Sequence, residues 1–318
     1  MSTTCVINRI VLLFLCIAFA VLVLGTLFSP AVSFNSINAS MSVRSQFLTL
    51  PGRNTSTSNL SFFISPSHYV PSNKSENASF SISLQESFGF LRYSSTAWER
   101  KKKIHKWQSS RQHGPQNGIG KSFFQNNWEP TWSCGFEQRM GNIGDGGKWI
   151  CDAYMIAEAV DCNIVSIGSN NDWSFERSIH LLNPRCNIHT FDHTIMGNVR
   201  GKPEFVKYHP KGLGASNQGD VLTMESLLGS AGLSGLEIDI LKIDCEGCEY
   251  NVYKELTKGF LRQILIEIHM GAPTPLPVNQ LFKHMQASGY VIFHKEPNTL
   301  GCSGNCIEYA FLKLNLPH

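Results

Sequence analysis

Three carboxylates follow the end of an apolar segment in the C-terminal half of the chain. In the stretch DILKIDCEGCEY, residues 239–250, an apolar strand pattern leads directly into Asp244, Glu246 and Glu249. Carboxylates in such a place can hold an ammonium group or accept a proton from a hydroxyl, which is general-base chemistry. The structural alternative is that the acids stabilise the N-terminus of the next helix. The pattern indicates Asp244 and Glu246 as catalytic candidates.

A further candidate base follows the next apolar segment. In ILIEIHM, residues 264–270, the alternation of a strand places Glu267 and His269 on one face. Either side chain could accept a proton from a substrate. The alternative is a paired core glutamate with a histidine that caps the strand. We expect His269 to be catalytic, together with Asp244 and Glu246.

A turn and an acid at the ends of two earlier strands have the types and spacing of a nucleoside site. The strand at 163–168 ends in Gly168, Ser169 and Asn170, where glycine lets the backbone turn sharply and approach a ligand. Asp192 ends the next strand, 24 residues after Gly168, where an acid can accept hydrogen bonds from ribose hydroxyls. Helix capping is the alternative, by Asp172 or Asn171 after the first strand and by Asp192 after the second. We expect Gly168, Ser169, Asn170, Asp192 and Asp244 to bind a cofactor.

The elements that carry these residues alternate between strand and helix. Apolar strand patterns occur at 163–168, 186–192, 204–209, 236–244, 263–269, 290–294 and 308–314. Helical patterns occur at 173–182, 221–228, 249–258 and 278–287. This order predicts an α/β fold with a mostly parallel sheet, because crossover helices join parallel strands. The last two strands have no helix between them, which predicts an antiparallel hairpin at one edge.

The N-terminal third has a different character. Residues 10–28 carry no charge and are long enough to cross a bilayer as a helix, followed by five N-x-[ST] sequons at Asn38, Asn54, Asn59, Asn73 and Asn77. We expect a cytosolic tail at 1–9, a transmembrane anchor at 10–28, a glycosylated stem at 29–118 and a luminal domain at 119–318. A signal peptide cleaved near Ala31 is the alternative. The basic run at 100–106 precedes the globular pattern and is interpreted as a solvated linker.

Charge and cysteine content narrow the classes of partner and compartment. The net charge of +3 is mild and indicates no nucleic-acid partner. Eight of the ten cysteines follow the anchor, which favours disulfides in an oxidising lumen. The pairs Cys245/Cys248 and Cys302/Cys306 also have the spacing of zinc half-sites, so zinc remains the second interpretation there. No metal cofactor is predicted.

Several of these motifs resemble known families. The segment LKIDCEGCE, residues 241–249, resembles a signature of FkbM-type S-adenosylmethionine-dependent methyltransferases, and IGSN at 167–170 resembles their first strand and turn. GDGGKW at 144–149, SFE at 174–176 and NCIEYAF at 305–311 are similar to animal membrane-anchored methyltransferase-like proteins. The pattern departs from FkbM at Asp172, often a second glycine, at Asp192, usually glutamate, and at His193, usually proline.

The resemblance implies a Rossmann-like class I methyltransferase domain. It implies that S-adenosylmethionine binds at Gly168, Asn170 and Asp192, and that Asp244 and Glu246 line the methyl-transfer pocket. The function we expect is O-methylation of a carbohydrate or other hydroxyl acceptor by a single-pass type II membrane protein of the Golgi or another secretory-pathway membrane. A Golgi-type glycosyltransferase, for which the sequence has no Asp-x-Asp motif, and a catalytically inactive binding protein are the alternatives.

Overall fold

The computed structural model describes residues 80–112, 120–270, 275–299, 301–303 and 305–316. The predicted anchor, residues 10–28, the five sequons and the alternative cleavage site lie outside these residues. Within the described ranges, no helix has both the length and the apolar character to cross a bilayer.

The helices and strands alternate over most of the domain. The helices are α1 (Ser81–Glu86), α2 (Ser95–Ser109), α3 (Lys121–Asn126), α4 (Ala153–Glu158), α5 (Ser174–Leu182), α6 (Met224–Ser230), α7 (Glu249–Val252), a 3-10 turn (Glu255–Thr257) and α8 (Pro275–Ala287). The strands are β1 (Glu137–Met140), β2 (Lys148–Cys151), β3 (Asn163–Ile167), β4 (Asn187–Phe191), β5 (Val206–His209), β6 (Gly212–Leu213), β7 (Val221–Leu222), β8 (Ile238–Ile243), β9 (Leu261–His269), β10 (Tyr290–Asn298) and β11 (Cys306–Lys313).

A seven-stranded sheet in the order β10-β11-β9-β8-β3-β4-β5 organises the domain. Five neighbouring strands of this sheet, β5, β4, β3, β8 and β9, pair in parallel, whereas β11 is antiparallel to both β9 and β10. The predicted parallel sheet with a C-terminal antiparallel hairpin is therefore confirmed, and the architecture is Rossmann-like. All seven strands predicted from apolar patterns are present.

Apolar residues cover both faces of the sheet. In β3, Val165 and Ile167 pack into one hydrophobic cluster, while Ile164, which precedes them, packs into a second cluster on the opposite face. Burial on both sides explains the nearly continuous apolar sequence of the central strands. Ligands in open parallel sheets of this kind bind beyond the carboxyl ends of the strands.

The folded domain begins earlier in the sequence than the predicted boundary at residue 119. Within the range assigned to the stem, α1 and α2 pack on the domain, and the Trp98 side chain is fully buried against Trp132 at a ring-centroid distance of 5.0 Å. Ser94 caps α2 by accepting a hydrogen bond from the Ala97 N–H. The interpretation of residues 100–106 as a solvated linker is wrong, because this run forms part of α2.

Contacts of two lysines explain why this basic helix stays on the surface of the domain. Lys101 donates to the Ser133 carbonyl at 2.6 Å, and Lys102 pairs with Glu86 and Glu99. The predicted helix at 249–258 is also different in the structure, because it is divided into α7 and the 3-10 turn.

Candidate active site

A cavity of about 480 Å³ opens at the carboxyl ends of β3, β4, β8 and β9. Its lining includes every residue predicted for the site: Gly168, Ser169, Asn170, Asp192, Asp244, Glu246 and His269. They come from four separate strand ends that parallel pairing brings to one edge of the sheet. The volume lies within the usual range for small-molecule and cofactor sites.

The turn after β3 has a backbone that only glycine fits. Gly168 has φ +79°, and a Cβ there would lie 1.8 Å from the carbonyl oxygen of Asp244. Lys242 Nζ donates to the Gly168 carbonyl at 2.6 Å and holds this close approach of β3 and β8. Asp172 Oδ1 accepts a hydrogen bond from the Ser174 N–H at the start of the following helix, whereas the cap residue Trp173 makes no side-chain cap bond.

Asp192 joins the end of β4 to the same turn. Its Oδ2 accepts hydrogen bonds from Ser169 N, Ser169 Oγ and Asn170 N, and its Oδ1 accepts from the N–H and hydroxyl of Thr194. Burial acts to raise the pKa of Asp192, but these hydrogen bonds outweigh it and lower the pKa to about 2. The carboxylate thus fixes the conformation of the turn, a role that the sequence pattern did not indicate.

Asp244 lies beside a buried lysine that sequence reasoning gave no role. Lys148 Nζ, from β2, is 3.4 Å from Asp244 Oδ2 and 2.6 Å from Glu308 Oε1. Burial acts to raise the pKa of Asp244, but Lys148 and then Lys242 lower it overall. Asp244 is therefore a carboxylate that can accept hydrogen bonds from a ligand in the cavity.

His269 lies between two acids. Its Nδ1 is 3.2 Å from Glu249 Oε1, and its Nε2 is 3.2 Å from Glu246 Oε2. Burial acts to lower the pKa of His269, but the hydrogen bond and charge of Glu249, with Glu267 and Asp244, raise it to about 9. At neutral pH the ring is an imidazolium, which donates hydrogen bonds and must lose a proton before it can serve as a base.

This arrangement predicts a pH dependence of stability. Because the pKa of His269 rises from 6.5 to about 9 on folding, its contribution is complete below pH 6.5 and is lost as the pH rises through about 9. Wild-type protein should lose unfolding free energy over that interval, and His269→Gln should lose distinctly less. Urea unfolding at several pH values measures this. His284→Gln, which changes a histidine with a lowered pKa on α8, should keep the wild-type slope; equal slopes for wild type and His269→Gln would contradict the assignment.

The eight cysteines of the described residues form four disulfides. They are Cys134–Cys151, Cys162–Cys186, Cys245–Cys248 and Cys302–Cys306. The structure therefore pairs the cysteines for which zinc was the second interpretation. Asp244, Glu246 and His269 place ligand atoms within 4.8 Å of one another, a spacing that could hold a cation.

Comparison with known proteins identifies a family. The sequence model of the family described as "Methyltransferase domain" matches residues 81–313. No curated protein sequence matches the chain.

Solved structures give more distant similarities. The fold is similar to the fibrillarin pre-rRNA processing protein of Methanococcus jannaschii, with 12% identity and a TM-score of 0.36 over 56% of this chain and 82% of that chain. Precorrin-6y C5,15-methyltransferase of Geobacter metallireducens is 14% identical, with a TM-score of 0.33 over 51% of this chain and 84% of that chain. Methyltransferase FkbM of Methylobacillus flagellatus is 12% identical, with a TM-score of 0.31 over 47% of this chain and 43% of that chain.

Proposed function

The chain belongs to the family of methyltransferase domains, and we propose that it transfers a methyl group from S-adenosylmethionine to a hydroxyl of a carbohydrate or another hydroxyl-bearing acceptor. The observation that carries the proposal is the convergence of the Gly168 turn, Asp192, Asp244 and His269 on one cavity. Nucleoside cofactors in sheets of this type bind at this edge, beyond the carboxyl ends of the strands.

The volume and the carboxyl groups of the cavity suit S-adenosylmethionine. At Gly168 the position of a Cβ is taken by the Asp244 carbonyl oxygen, so glycine allows the close approach of β3 and β8 that shapes the turn at the cavity. Asp244, Glu246 and Glu267 add carboxyl groups to the lining, which suit a ligand with sulfonium and ammonium charges. When bound, this cofactor supplies an activated methyl group on a sulfonium sulfur.

Each residue has a distinct part in the proposal. Asp192 holds the β3 turn and accepts a hydrogen bond from a ribose hydroxyl, and Asp244 binds the ammonium group. Glu246 reaches furthest into solvent, with 86% of its side chain exposed, and lies at the mouth of the cavity. It accepts the proton of the acceptor hydroxyl, while the imidazolium of His269 holds it in position. His269 itself acts as a base only after it has passed its own proton to Glu246.

Replacement of Glu246 by glutamine tests this assignment. The side chain is exposed, so stability and cofactor affinity should stay close to wild type. The rate of methyl transfer from labelled S-adenosylmethionine to an oligosaccharide library should fall by ~10²–10⁴-fold, the usual contribution of a general base. Glu225→Gln, an exposed glutamate on α6, is the matched control and should leave the rate unchanged. A wild-type rate in folded Glu246→Gln would remove the residue from catalysis.

The proposed location is the lumen of the Golgi or another secretory-pathway compartment, in a type II orientation. The uncharged segment at 10–28 and the five sequons support this, and four disulfides suit an oxidising compartment. Glycosidase treatment of the full chain expressed in animal cells should lower its apparent mass. An unchanged mass together with a domain accessible to cytosolic protease would contradict the location.

A thermal-shift titration separates the proposal from its alternatives. S-adenosylmethionine should raise the unfolding temperature, and nucleotide sugars should not, because the family match favours a methyltransferase over a glycosyltransferase. Stabilisation by nucleotide sugars alone would support a glycosyltransferase. Stabilisation by S-adenosylmethionine without transfer to any acceptor would support an inactive binding protein.

A further inference from the structure

The buried lysine of the β1–β2 hairpin connects the site to a part of the chain outside the main sheet. Lys148 is 1% exposed, and its Nζ bridges Glu308 on β11 and Asp244 at the end of β8. A lysine buried to this degree needs charged partners, because an unpaired charge in the interior is costly. Its position is therefore set by the two carboxylates that it contacts.

Glu267 adds a third carboxyl group to the cluster of Lys148, Asp244 and Glu308. Glu267 lies directly opposite Glu308 on the neighbouring antiparallel strand. Both side chains are about 4% exposed. Glu267 Oε1 accepts from Asn298 Nδ2 at 2.9 Å, and Glu267 lines the same cavity as Asp244. Buried carboxyl groups that lie near one another disfavour a further negative charge, so one of them is expected to hold a proton.

We propose that Lys148 is a positioning residue that keeps Asp244 ionised toward the cavity, and that Glu267 is the neutral acid of the cluster. The inference rests on the proposed function, since it concerns the same cavity. It gives the hairpin outside the sheet a direct role in the charge of the site.

The charges around the cluster support an ionised Asp244 and a neutral Glu267. Asp244 faces Lys148 from β2, Lys242 from β8, Glu267 and His269 from β9 and Glu308 from β11, and among these Lys148 lowers its pKa most. Burial first, and then the charges of Glu308 and Asp244, raise the pKa of Glu267 to about 8. The result is one carboxylate and one acid next to each other at neutral pH.

The test measures the pH dependence of S-adenosylmethionine binding by titration calorimetry between pH 5 and 7. Lys148→Met combined with Glu308→Gln removes the ion pair without leaving a buried charge. Wild-type affinity should change little over this range. In the double variant Asp244 should take up a proton as the pH falls, so the affinity should drop ten-fold or more. The measured heat of binding should then depend on the buffer, because protons are exchanged on binding.

Lys295→Met combined with Glu129→Gln is the matched control. It removes another lysine ion pair, with Nζ and Oε1 2.5 Å apart, outside the cavity lining, and its affinity should follow that of wild type at every pH.

The outcomes separate the inference from the function on which it rests. A double variant that binds in parallel with wild type at every pH would overturn the role of Lys148. Absence of wild-type binding would overturn the proposed function and this inference with it. Infrared difference spectra give a second measurement that needs no Lys148 variant. Wild type minus Glu267→Gln at pH 6.5 should contain the carbonyl stretch of a protonated carboxyl, and its absence would overturn the assignment of Glu267.

Discussion

Replacing Gly168 by alanine should abolish binding of S-adenosylmethionine and destabilise the domain by about 3 kcal/mol or more. The added Cβ would lie 1.8 Å from the Asp244 carbonyl oxygen, a backbone atom that cannot move without separating β3 from β8. The φ of +79° adds the conformational strain of a left-handed residue with a side chain. Both effects act at the point where the turn meets the cavity. Urea unfolding and calorimetric titration with S-adenosylmethionine measure the two losses.

Gly232→Ala is the matched control for this prediction. Gly232 also has a left-handed backbone, with φ +72°, but a Cβ there would meet no atom within 4 Å. The unfolding free energy of Gly232→Ala should fall only by the strain of a left-handed residue with a side chain, roughly 1–2 kcal/mol, and the variant should keep its cofactor affinity. Equal destabilisation in the two variants, with binding retained in both, would show that the contact of β3 with β8 does not shape the site.

Replacing Asp192 by asparagine should have the second largest effect, about 3 kcal/mol of unfolding free energy and more than ten-fold in cofactor affinity. Each carboxylate oxygen accepts at least two hydrogen bonds, from Ser169 and Asn170 on one side and from Thr194 on the other. In either orientation the asparagine amide would point its NH₂ at a set of donors. The turn would lose its anchor, and the ribose its acceptor.

The lowered pKa of Asp192 also predicts how the stability of the domain changes in acid. Folding lowers the pKa of Asp192 from 3.8 to about 2, so its contribution of about 2 kcal/mol is present above pH 4 and is lost as the pH falls toward 2. Wild type should therefore lose stability more steeply than Asp192→Asn over that interval. Asp161→Asn, which changes an exposed aspartate outside the cavity lining, should follow wild type. Parallel acid curves for wild type and Asp192→Asn would contradict the hydrogen-bond network.

The sheet and the position of the site could be predicted from the sequence because both follow from local patterns. Apolar runs such as residues 163–167 and 238–243 are buried on both faces, and this requirement is visible in the sequence itself. Parallel pairing then brings the residues after each strand to one edge. Gly168, Asp192, Asp244 and His269 consequently line one cavity, although up to 101 positions separate them.

Features that depend on distant contacts could not be predicted in this way. Lys148 is a single polar residue in a short strand, and its partner Glu308 lies 160 positions away. Helix α2 is so rich in charge that its sequence is typical of a linker, and a single buried tryptophan, Trp98, attaches it to the core. The donors to Asp192 are small polar residues whose types are common in any turn. In each case the decisive interaction appears only when the chain is folded.

A crystal structure grown with S-adenosylhomocysteine tests the central claim most directly. We expect electron density for the nucleoside between the Gly168 turn and Asp192, with the amino acid end beside Asp244. The sulfur should lie on the side of the cavity that Glu246 and His269 line. Density in the second groove of the domain, which lies between α2 and the start of β10 and is lined by Lys102, His105 and Tyr290, would contradict the assignment of this cavity as the methyl-transfer site. A cavity that stays empty at saturating ligand would contradict it as well.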